Sequence, residues 1–324
     1  MTEARHEPKI HPGKRPGAVF GPLQFDAADP GNPARLEWQR AGLVEPDMEI
    51  VRDYRLARLR AELARRDLAG AVLTDPINIR YATDAANMQV WCLHNAVRYV
   101  YVATEGPVVL WDFHGCGHVS GHLTRISERR PAISWFWFEA GPTEGDNARR
   151  WAAEIADLVR ATGGGNMRIG IDKCESRGLA ALAAEGVTVH QSQDFAEDAR
   201  RIKHPEEIKA MRRAVFTAEI GIAEMWRGLR PGLTENQLWS ILHQANIARG
   251  GEWIETRLLS SGPRTNPWFA ECSDRVIEAG DIVAFDTDLI GPYGYCADIS
   301  RSASTLTCSP SNMKKCARVK GRRF

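Results

Sequence analysis

The sequence predicts an α/β protein with two domains, and three observations support this class. From about residue 51 to residue 195, apolar segments of strand length alternate with segments of helical periodicity, an order typical of α/β domains. From about residue 196, helix-start signals precede an apolar hairpin. The length of 324 residues suits two domains of ordinary size.

Residues 1–50 are rich in proline, glycine and charge, so we expect an extended arm whose packing partner is another subunit. The first domain, residues 51–195, then begins with a helix at Asp53–Leu68, whose leucines recur at helical spacing. A short strand, Ala71–Asp75, and a loop follow. The other expected strands are Val97–Ala103, Val108–Asp112, Ile133–Phe138, Arg168–Asp172 and Val187–His190, and the other expected helices are Asn147–Ala161 and Ser176–Ala184.

The second domain, residues 196–304, is predicted from its helix-start chemistry. Pro205 is followed by two glutamates, and a proline at the first position with acids in the first turn favours a helix. Thr234 is expected to cap the next helix, which should end at the glycine pair beginning with Gly250.

The segment after residue 280 predicts a β-hairpin. Ile282–Ile290 is apolar and partly β-branched, as expected for a strand. Gly291–Gly294 contains two glycines and a proline, which favour a turn. A second strand is expected from about Tyr295.

Asp286, Asp288 and Asp298 lie inside this hairpin and are candidate metal ligands. Asp286 and Asp288 are two residues apart, so their side chains should point to one face of a strand. A five-residue loop would place Asp298 opposite Asp288 on that face, whereas a slip of one residue would turn it away. Clustered carboxylates repel one another, and a hard divalent cation with oxygen ligands would relieve that repulsion.

A second interpretation of these aspartates needs no metal. Asp281 and Asp288 could flank turns, and Asp298 could form an ion pair with Arg275 or Arg301. The carboxylates lie inside the apolar segment and not at its ends, which favours the metal. Chemistry alone leaves both interpretations open.

The hairpin motif, Glu278-x-Gly-Asp281 followed by Gly294-Tyr-x-x-Asp298-Ile-x-Arg301, resembles the metal hairpin of the creatinase/aminopeptidase P (pita-bread) family. This resemblance implies a creatinase-like N-terminal α/β domain followed by a pita-bread catalytic domain. It also implies two divalent metal ions held by two Asp, one His and two Glu. Asp288 and Asp298 are ten positions apart, one fewer than is usual in the family.

The resemblance is strongest to one branch, the iron-dependent dimethylsulfoniopropionate (DMSP) lyases, in which a third Asp joins the metal ligands; Asp286 matches it. Pita-bread peptidases usually carry a His shortly before the metal hairpin. No His follows His243 here, and Asn266-Pro-Trp-Phe269 occupies that region. Trp91 and Trp268 are therefore candidate binding residues for a sulfonium group, because aromatic rings attract cations. The alternative for each is a packed hydrophobic side chain.

The end of the sequence departs from the family pattern. Residues 305–324 form a basic tail, in which six of the last eleven residues are Lys or Arg, without apolar periodicity. The family's His and Glu ligands would lie beyond the hairpin. We therefore expect a truncated pita-bread domain, from a frameshift near Ser304, with impaired activity and an unknown catalytic base.

The resemblance implies an enzyme that cleaves DMSP to dimethyl sulfide and acrylate by β-elimination. It implies iron as the divalent metal, with Mn, Zn and Co as alternatives, and two ions in the complete enzyme. A small sulfonium zwitterion as substrate and a homodimer are also implied. The alternatives are an Xaa-Pro peptidase or creatinase-like metallohydrolase, and a pita-bread-like binding protein without catalysis.

Composition argues against several other classes. A formal charge of +1 gives no reason to expect a nucleic acid partner. No apolar run reaches the roughly 18 residues that span a bilayer, and the polar start of the chain lacks a signal core. The seven cysteines form no Cys-x-x-Cys pair, so we expect reduced thiols in a cytoplasmic protein.

Overall fold

A computed structural model describes residues 32–305 of the chain. The first part of the predicted arm, residues 1–31, and the basic tail from residue 306 lie outside this range. The described residues confirm the predicted class, since helices and a mixed sheet build two α/β units. Within them, no helix combines the length and apolar character that crossing a membrane requires.

The elements follow one another along the chain in the order that their numbers give. The helices are α1 (Ala34–Arg40), α2 (Met48–Arg65), α3 (Pro76–Thr83), α4 (Gln89–His94), α5 (Trp137–Ala140), α6 (Glu144–Thr162), α7 (Ser176–Ala184), α8 (Asp194–Arg201), α9 (Pro205–Gly228) and α10 (Glu235–Ile247). The strands are β1 (Gly70–Leu73), β2 (Tyr99–Ala103), β3 (Val108–Asp112), β4 (Glu128–Pro131), β5 (Arg168–Ile171), β6 (Thr188–Gln191), β7 (Leu259–Ser261), β8 (Ile282–Phe285), β9 (Leu289–Ile290), β10 (Cys296–Ala297) and β11 (Arg301–Ser304).

The first domain is built on a mixed sheet with the strand order β4-β3-β2-β1-β5-β6. Every residue of β1, β2 and β3 is buried, as expected for strands that are covered on both faces. Helices α2, α3 and α8 cover one face through residues such as Leu63 and Phe195. Helices α6 and α7 cover the other face through Trp151 and Leu182.

Two stretches of the first domain differ from their predictions. Pro76–Thr83, expected as a loop, is helix α3, because Asp75 caps it and a proline occupies its first position. Ile133–Phe138 is not a strand. Trp135 is buried against Trp151, with ring centroids 4.1 Å apart, and helix α5 begins two residues later. Aromatic residues favour strands, but in this segment the packing of Trp135 against Trp151 overrides that preference.

Part of the expected arm is helical and packs on its own chain. Trp38 of α1 is fully buried, and its Nε1 donates to Thr217 Oγ1 of α9 at 3.3 Å. Helix α2 begins at Met48, earlier than predicted, because the Asp47 side chain accepts hydrogen bonds from two backbone N–H groups. The prediction of an extended arm is therefore wrong for residues 32–50.

Helix α8 spans the predicted domain boundary but belongs to the first domain. Its residues Phe195, Ala196 and Ala199 lie in the same hydrophobic core as helix α2. The boundary therefore follows Arg201 and does not fall at residue 196.

The second domain packs α9 and α10 against a small sheet with the order β11-β8-β7. Both predicted helix starts are confirmed. Helix α9 begins at Pro205 after the cap His204, and α10 follows Thr234, whose hydroxyl accepts from Gln237 N at 3.1 Å. Such caps satisfy backbone donors that the first turn of a helix leaves unpaired.

Candidate metal centre

The candidate aspartates lie in an antiparallel hairpin with the predicted register. Strands β9 and β10 pair so that Ile290 faces Cys296, which leaves the five-residue loop Gly291–Tyr295. The outer strands β8 and β11 continue in the same register. Asp298 is therefore in line with Asp288 across the hairpin, as predicted.

The first strand of the hairpin is interrupted, which the prediction of one continuous strand did not anticipate. Between β8 and β9, Asp288 adopts a φ of 35°, in the left-handed region. The side chain of Thr287 is buried at this break. Its hydroxyl donates to Ala297 O at 2.8 Å and accepts from Ile299 N at 2.9 Å. These bonds join the two halves of the hairpin where the regular ladder is lost.

The structure brings all three predicted ligands together. Asp286, Asp288 and Asp298 each offer one carboxylate oxygen, and these atoms lie within 4.8 Å of one another. Asp286 and Asp288 are half-buried, whereas Asp298 is exposed. Among residues 32–305, this is the one cluster of His, Cys, Asp and Glu side chains that is compact enough to hold a metal ion.

Two hydroxyl groups orient the carboxylates. Thr256 Oγ1 donates to Asp288 Oδ2 at 2.8 Å, and Ser300 Oγ donates to Asp286 Oδ1 at 2.9 Å. We did not predict either hydroxyl from the sequence. Ser300 follows the third aspartate closely and could have been found from the hairpin register, but Thr256 lies in a distant segment.

The arginines that could have neutralised the aspartates are engaged elsewhere. Arg275 forms an ion pair with Asp281 at 2.6 Å. Arg301 donates to the carbonyl oxygen of Ser300 at 2.7 Å. The interpretation that Asp298 pairs with either arginine is therefore wrong.

Crowding of the carboxylates raises the pKa of Asp298 to about 6. The hydrogen bond to Asp286 is the main cause, followed by burial and by the negative charges of Asp286 and Asp288. A cation would reverse this effect, because a nearby positive charge favours the ionised form of a carboxyl group. Three hard oxygen donors that form no ion pair with a basic side chain of residues 32–305 fit a divalent metal ion.

The two candidate tryptophans lie in different environments. Trp91 lines a cleft of about 950 Å³ between the domains, together with residues such as Arg80 and Trp253. Trp268 is half-buried in the loop after β7, with its ring centroid 6.3 Å from that of Phe269. Among the described residues that line the cleft, none is Trp268 or one of the three aspartates. The cleft therefore does not unite the predicted substrate and metal residues.

Two family matches cover most of the chain. Residues 55–202 match the creatinase/prolidase N-terminal domain, and residues 209–319 match metallopeptidase family M24. The two matched ranges correspond to the two domains described above.

Two curated relatives are dimethylsulfoniopropionate lyases named DddP. The chain is 44% identical to that of Roseovarius nubinhibens over 271 residues, which are 82% of this chain and 61% of the relative. It is 42% identical to that of Roseobacter denitrificans over 305 residues, which are 91% of this chain and 68% of the relative. The chain thus spans about two thirds of the length of these relatives.

Solved structures support the same fold at lower identity. The Xaa-Pro dipeptidase from Bacillus anthracis matches with a TM-score of 0.60 and 20% identity, covering 77% of this chain and 64% of that one. The prolidase from Pyrococcus horikoshii matches with a TM-score of 0.59 and 16% identity, covering 77% and 64%. The chain therefore belongs to the creatinase/aminopeptidase P family of pita-bread metallopeptidases, with DMSP lyases as its similar curated relatives.

Proposed function

We propose that this protein is a metal-dependent DMSP lyase, which cleaves dimethylsulfoniopropionate to dimethyl sulfide and acrylate. The observation that carries the proposal is the cluster of three carboxylates, in which Asp286 adds a third acid to the pair Asp288 and Asp298. The identity of 42–44% to two DMSP lyases supports this branch.

Asp286, Asp288 and Asp298 would hold a divalent ion, which we take to be iron, with Mn, Zn and Co as alternatives. Hydroxyl donors from Thr256 and Ser300 would orient two of the three carboxylates towards it. A second divalent ion is proposed to share this site. The bound metal would supply Lewis acidity that stabilises negative charge developing on the substrate.

The reaction is a β-elimination. A base removes the proton on the carbon next to the substrate carboxylate, and the released electron pair forms the carbon–carbon double bond. The bond between carbon and sulfur breaks, its electrons stay on sulfur, and dimethyl sulfide leaves as a neutral molecule. We assign no residue of the chain as this base.

Trp91 and Trp268 are proposed to bind the sulfonium group. An aromatic face attracts an onium cation by about 0.5–2 kcal/mol, depending on solvent exposure. Both rings retain accessible surface, which such a role requires. The two rings lie in different parts of the structure, so each is proposed separately as a sulfonium-binding residue.

A homodimer is supported by exposed aromatic side chains on the first domain. Trp137 and Phe138 are 65% and 73% exposed, and Phe138 contacts Trp91 edge-on with centroids 5.8 Å apart. Exposed apolar patches of this kind mark interaction sites.

The five cysteines within the described residues are free thiols, in keeping with a cytoplasmic location.

An Xaa-Pro hydrolase is the second candidate, because the solved structures with this fold include Xaa-Pro peptidases. The absence of a His between His243 and the metal hairpin argues against it. A binding protein without catalysis is the third candidate.

The test is an anaerobic assay of the protein from its native source, with Fe²⁺ content measured by mass spectrometry. Dimethyl sulfide from DMSP is followed by gas chromatography, and cleavage of an Xaa-Pro dipeptide is followed in parallel. The variant Asp298→Ala should lose both iron and dimethyl sulfide release. An iron content equal to that of the wild type in this variant would contradict the assignment of the metal site. Dipeptide cleavage without dimethyl sulfide would favour the hydrolase, and neither product would favour the binding protein.

A further inference from the structure

We infer that Arg55, a residue of the first domain, positions the metal hairpin by holding Tyr295, and that this contact raises the affinity of the three-aspartate site for its metal. The inference rests on the proposed metal site. Arg55 touches none of the three aspartates, so its role would be that of a positioning residue.

The contact joins three elements that are distant in sequence. Arg55 on α2 donates from Nη2 to the Tyr295 hydroxyl at 2.6 Å and from Nε to Glu207 Oε1 on α9 at 3.0 Å. The Tyr295 hydroxyl donates to the same Glu207 oxygen at 2.8 Å. The three side chains therefore form a closed triangle of hydrogen bonds between the domains and the hairpin loop.

This triangle is buried and its charges are matched. The side chains of Arg55 and Glu207 are 6% and 4% exposed. The guanidinium group lies over the rings of Tyr81 and Tyr295, 5.6 and 5.2 Å from their centroids. The second oxygen of Glu207 accepts from His204 N at 2.9 Å. Charged hydrogen bonds in such surroundings are stronger than neutral ones and fix geometry.

The loop end of the hairpin has little regular ladder of its own. Strands β9 and β10 contain two residues each, and so short a ladder contributes little stability. The facing carboxylates of Asp288 and Asp298 repel each other across it. A slip of one residue would turn Asp298 to the opposite face.

Tyr295 is well placed to prevent such a slip. It directly precedes β10, and its carbonyl oxygen accepts from Gly291 N at 2.9 Å, which closes the loop. The loop also lies directly on α9, where a Cβ on Gly291 would come within 2.9 Å of the Ala214 side chain. Contacts that hold the Tyr295 ring in place therefore also hold β10, which Asp298 directly follows.

The variant Tyr295→Phe tests this inference, because it removes one hydroxyl and leaves the Arg55–Glu207 ion pair in place. Tyr81→Phe is the matched control. It also removes a buried hydroxyl beneath Arg55, but that hydroxyl donates to Ala199 O within the first domain. Two quantities are measured: Fe²⁺ affinity by anaerobic calorimetry, and amide hydrogen exchange of the hairpin in the metal-free protein.

We expect Tyr295→Phe to weaken Fe²⁺ binding about tenfold, the lower end of the range for partners outside the ligand set. Exchange at residues 289–297 should become faster, while Tyr81→Phe should match the wild type in both measurements. Arg55→Lys, which keeps the charge but loses the fork of donors, should repeat the effect.

The outcomes separate the two proposals. Unchanged affinity and exchange in Tyr295→Phe would overturn the positioning role and leave the metal site standing. Equal losses in Tyr81→Phe would also overturn it, since the effect would then be general. If the wild type binds no Fe²⁺ and Tyr295→Phe still speeds hairpin exchange, the proposed metal function and the effect on affinity fail, while the positioning of the hairpin by Arg55 survives.

Discussion

The three aspartates repel one another in the metal-free protein, and the side chains that orient two of them are hydroxyls, not cations. Thr256 and Ser300 each donate one hydrogen bond to a carboxylate. A hydroxyl donor orients a carboxylate without neutralising it, which leaves the negative charge available to an ion. Arginines at these positions would occupy the carboxylates permanently, because a guanidinium group stays charged.

Removing the hydroxyl that orients Asp288 should weaken metal binding. Thr256→Val keeps the shape of the side chain, and we expect Fe²⁺ affinity to fall about tenfold. Thr104→Val is the control, because its hydroxyl donates to Leu68 O, far along the chain from the hairpin. Calorimetry under anaerobic conditions measures both. Equal affinities in the two variants would contradict an orienting role for Thr256.

The raised pKa of Asp298 should make metal binding depend on pH. The carboxyl group has a pKa of about 6 in the metal-free protein, so below that pH an ion must displace a proton. We expect the apparent affinity to be constant well above pH 6 and to fall about tenfold per unit below it, as for one proton.

The same raised pKa should make the stability of the metal-free protein depend on pH. The folded metal-free protein holds this proton more tightly than the unfolded chain, so its stability should decrease as pH rises from about 4 to about 6. Asp286→Asn removes the charge of the neighbour and should move both transitions to lower pH. Titrations at a series of pH values measure affinity, and urea unfolding measures stability. Transitions that do not move would contradict the assigned cause.

At the scale of elements, local rules predicted the hairpin and failed where contacts are distant. The loop length placed Asp298 opposite Asp288, because it depends on neighbouring residues. The break between β8 and β9 depends on the buried hydroxyl of Thr287, and sequence propensity carries no sign of it. Thr256 and Arg55 act from other elements, so no local pattern could identify them.

Helix α10 anchors the loop that carries Trp268. Glu235 in its first turn is fully buried and accepts hydrogen bonds from Ser261 and Ser273 on both sides of that loop. Arg264 forms an ion pair with the same carboxylate. The loop is therefore tied to the helix at its start, its middle and its end.

Glu235→Ala should lower the free energy of unfolding by about 3 kcal/mol, because it leaves several buried donors and a cation without their partner. Glu219→Ala, at an exposed site of α9, should change it by less than about 0.5 kcal/mol. Urea denaturation followed by circular dichroism measures both. A change in Glu235→Ala as small as that of the control would show that the anchor is dispensable.

At the scale of the molecule, the two-domain order was predictable and the way the domains meet was not. Alternating strands and helices indicated the first domain, and the capped starts of α9 and α10 indicated the second. The contacts between domains, such as the Arg55–Glu207 pair, join residues that are 152 positions apart. Such pairs require the folded structure, since many charged residues in the sequence would serve equally well.

The exposed aromatic patch of Trp91, Trp137 and Phe138 leads to a prediction for the assembly. If it forms the proposed homodimer contact, replacing Trp137 and Phe138 together by serine should raise the dissociation constant of the dimer at least about thirtyfold, because buried aromatic side chains dominate interface energies. Ile202→Ser, at an exposed apolar position outside the patch, should leave it unchanged. Sedimentation equilibrium measures all three proteins. A dimer of wild-type affinity in the double variant would place the contact elsewhere, and a monomeric wild type would remove the homodimer itself.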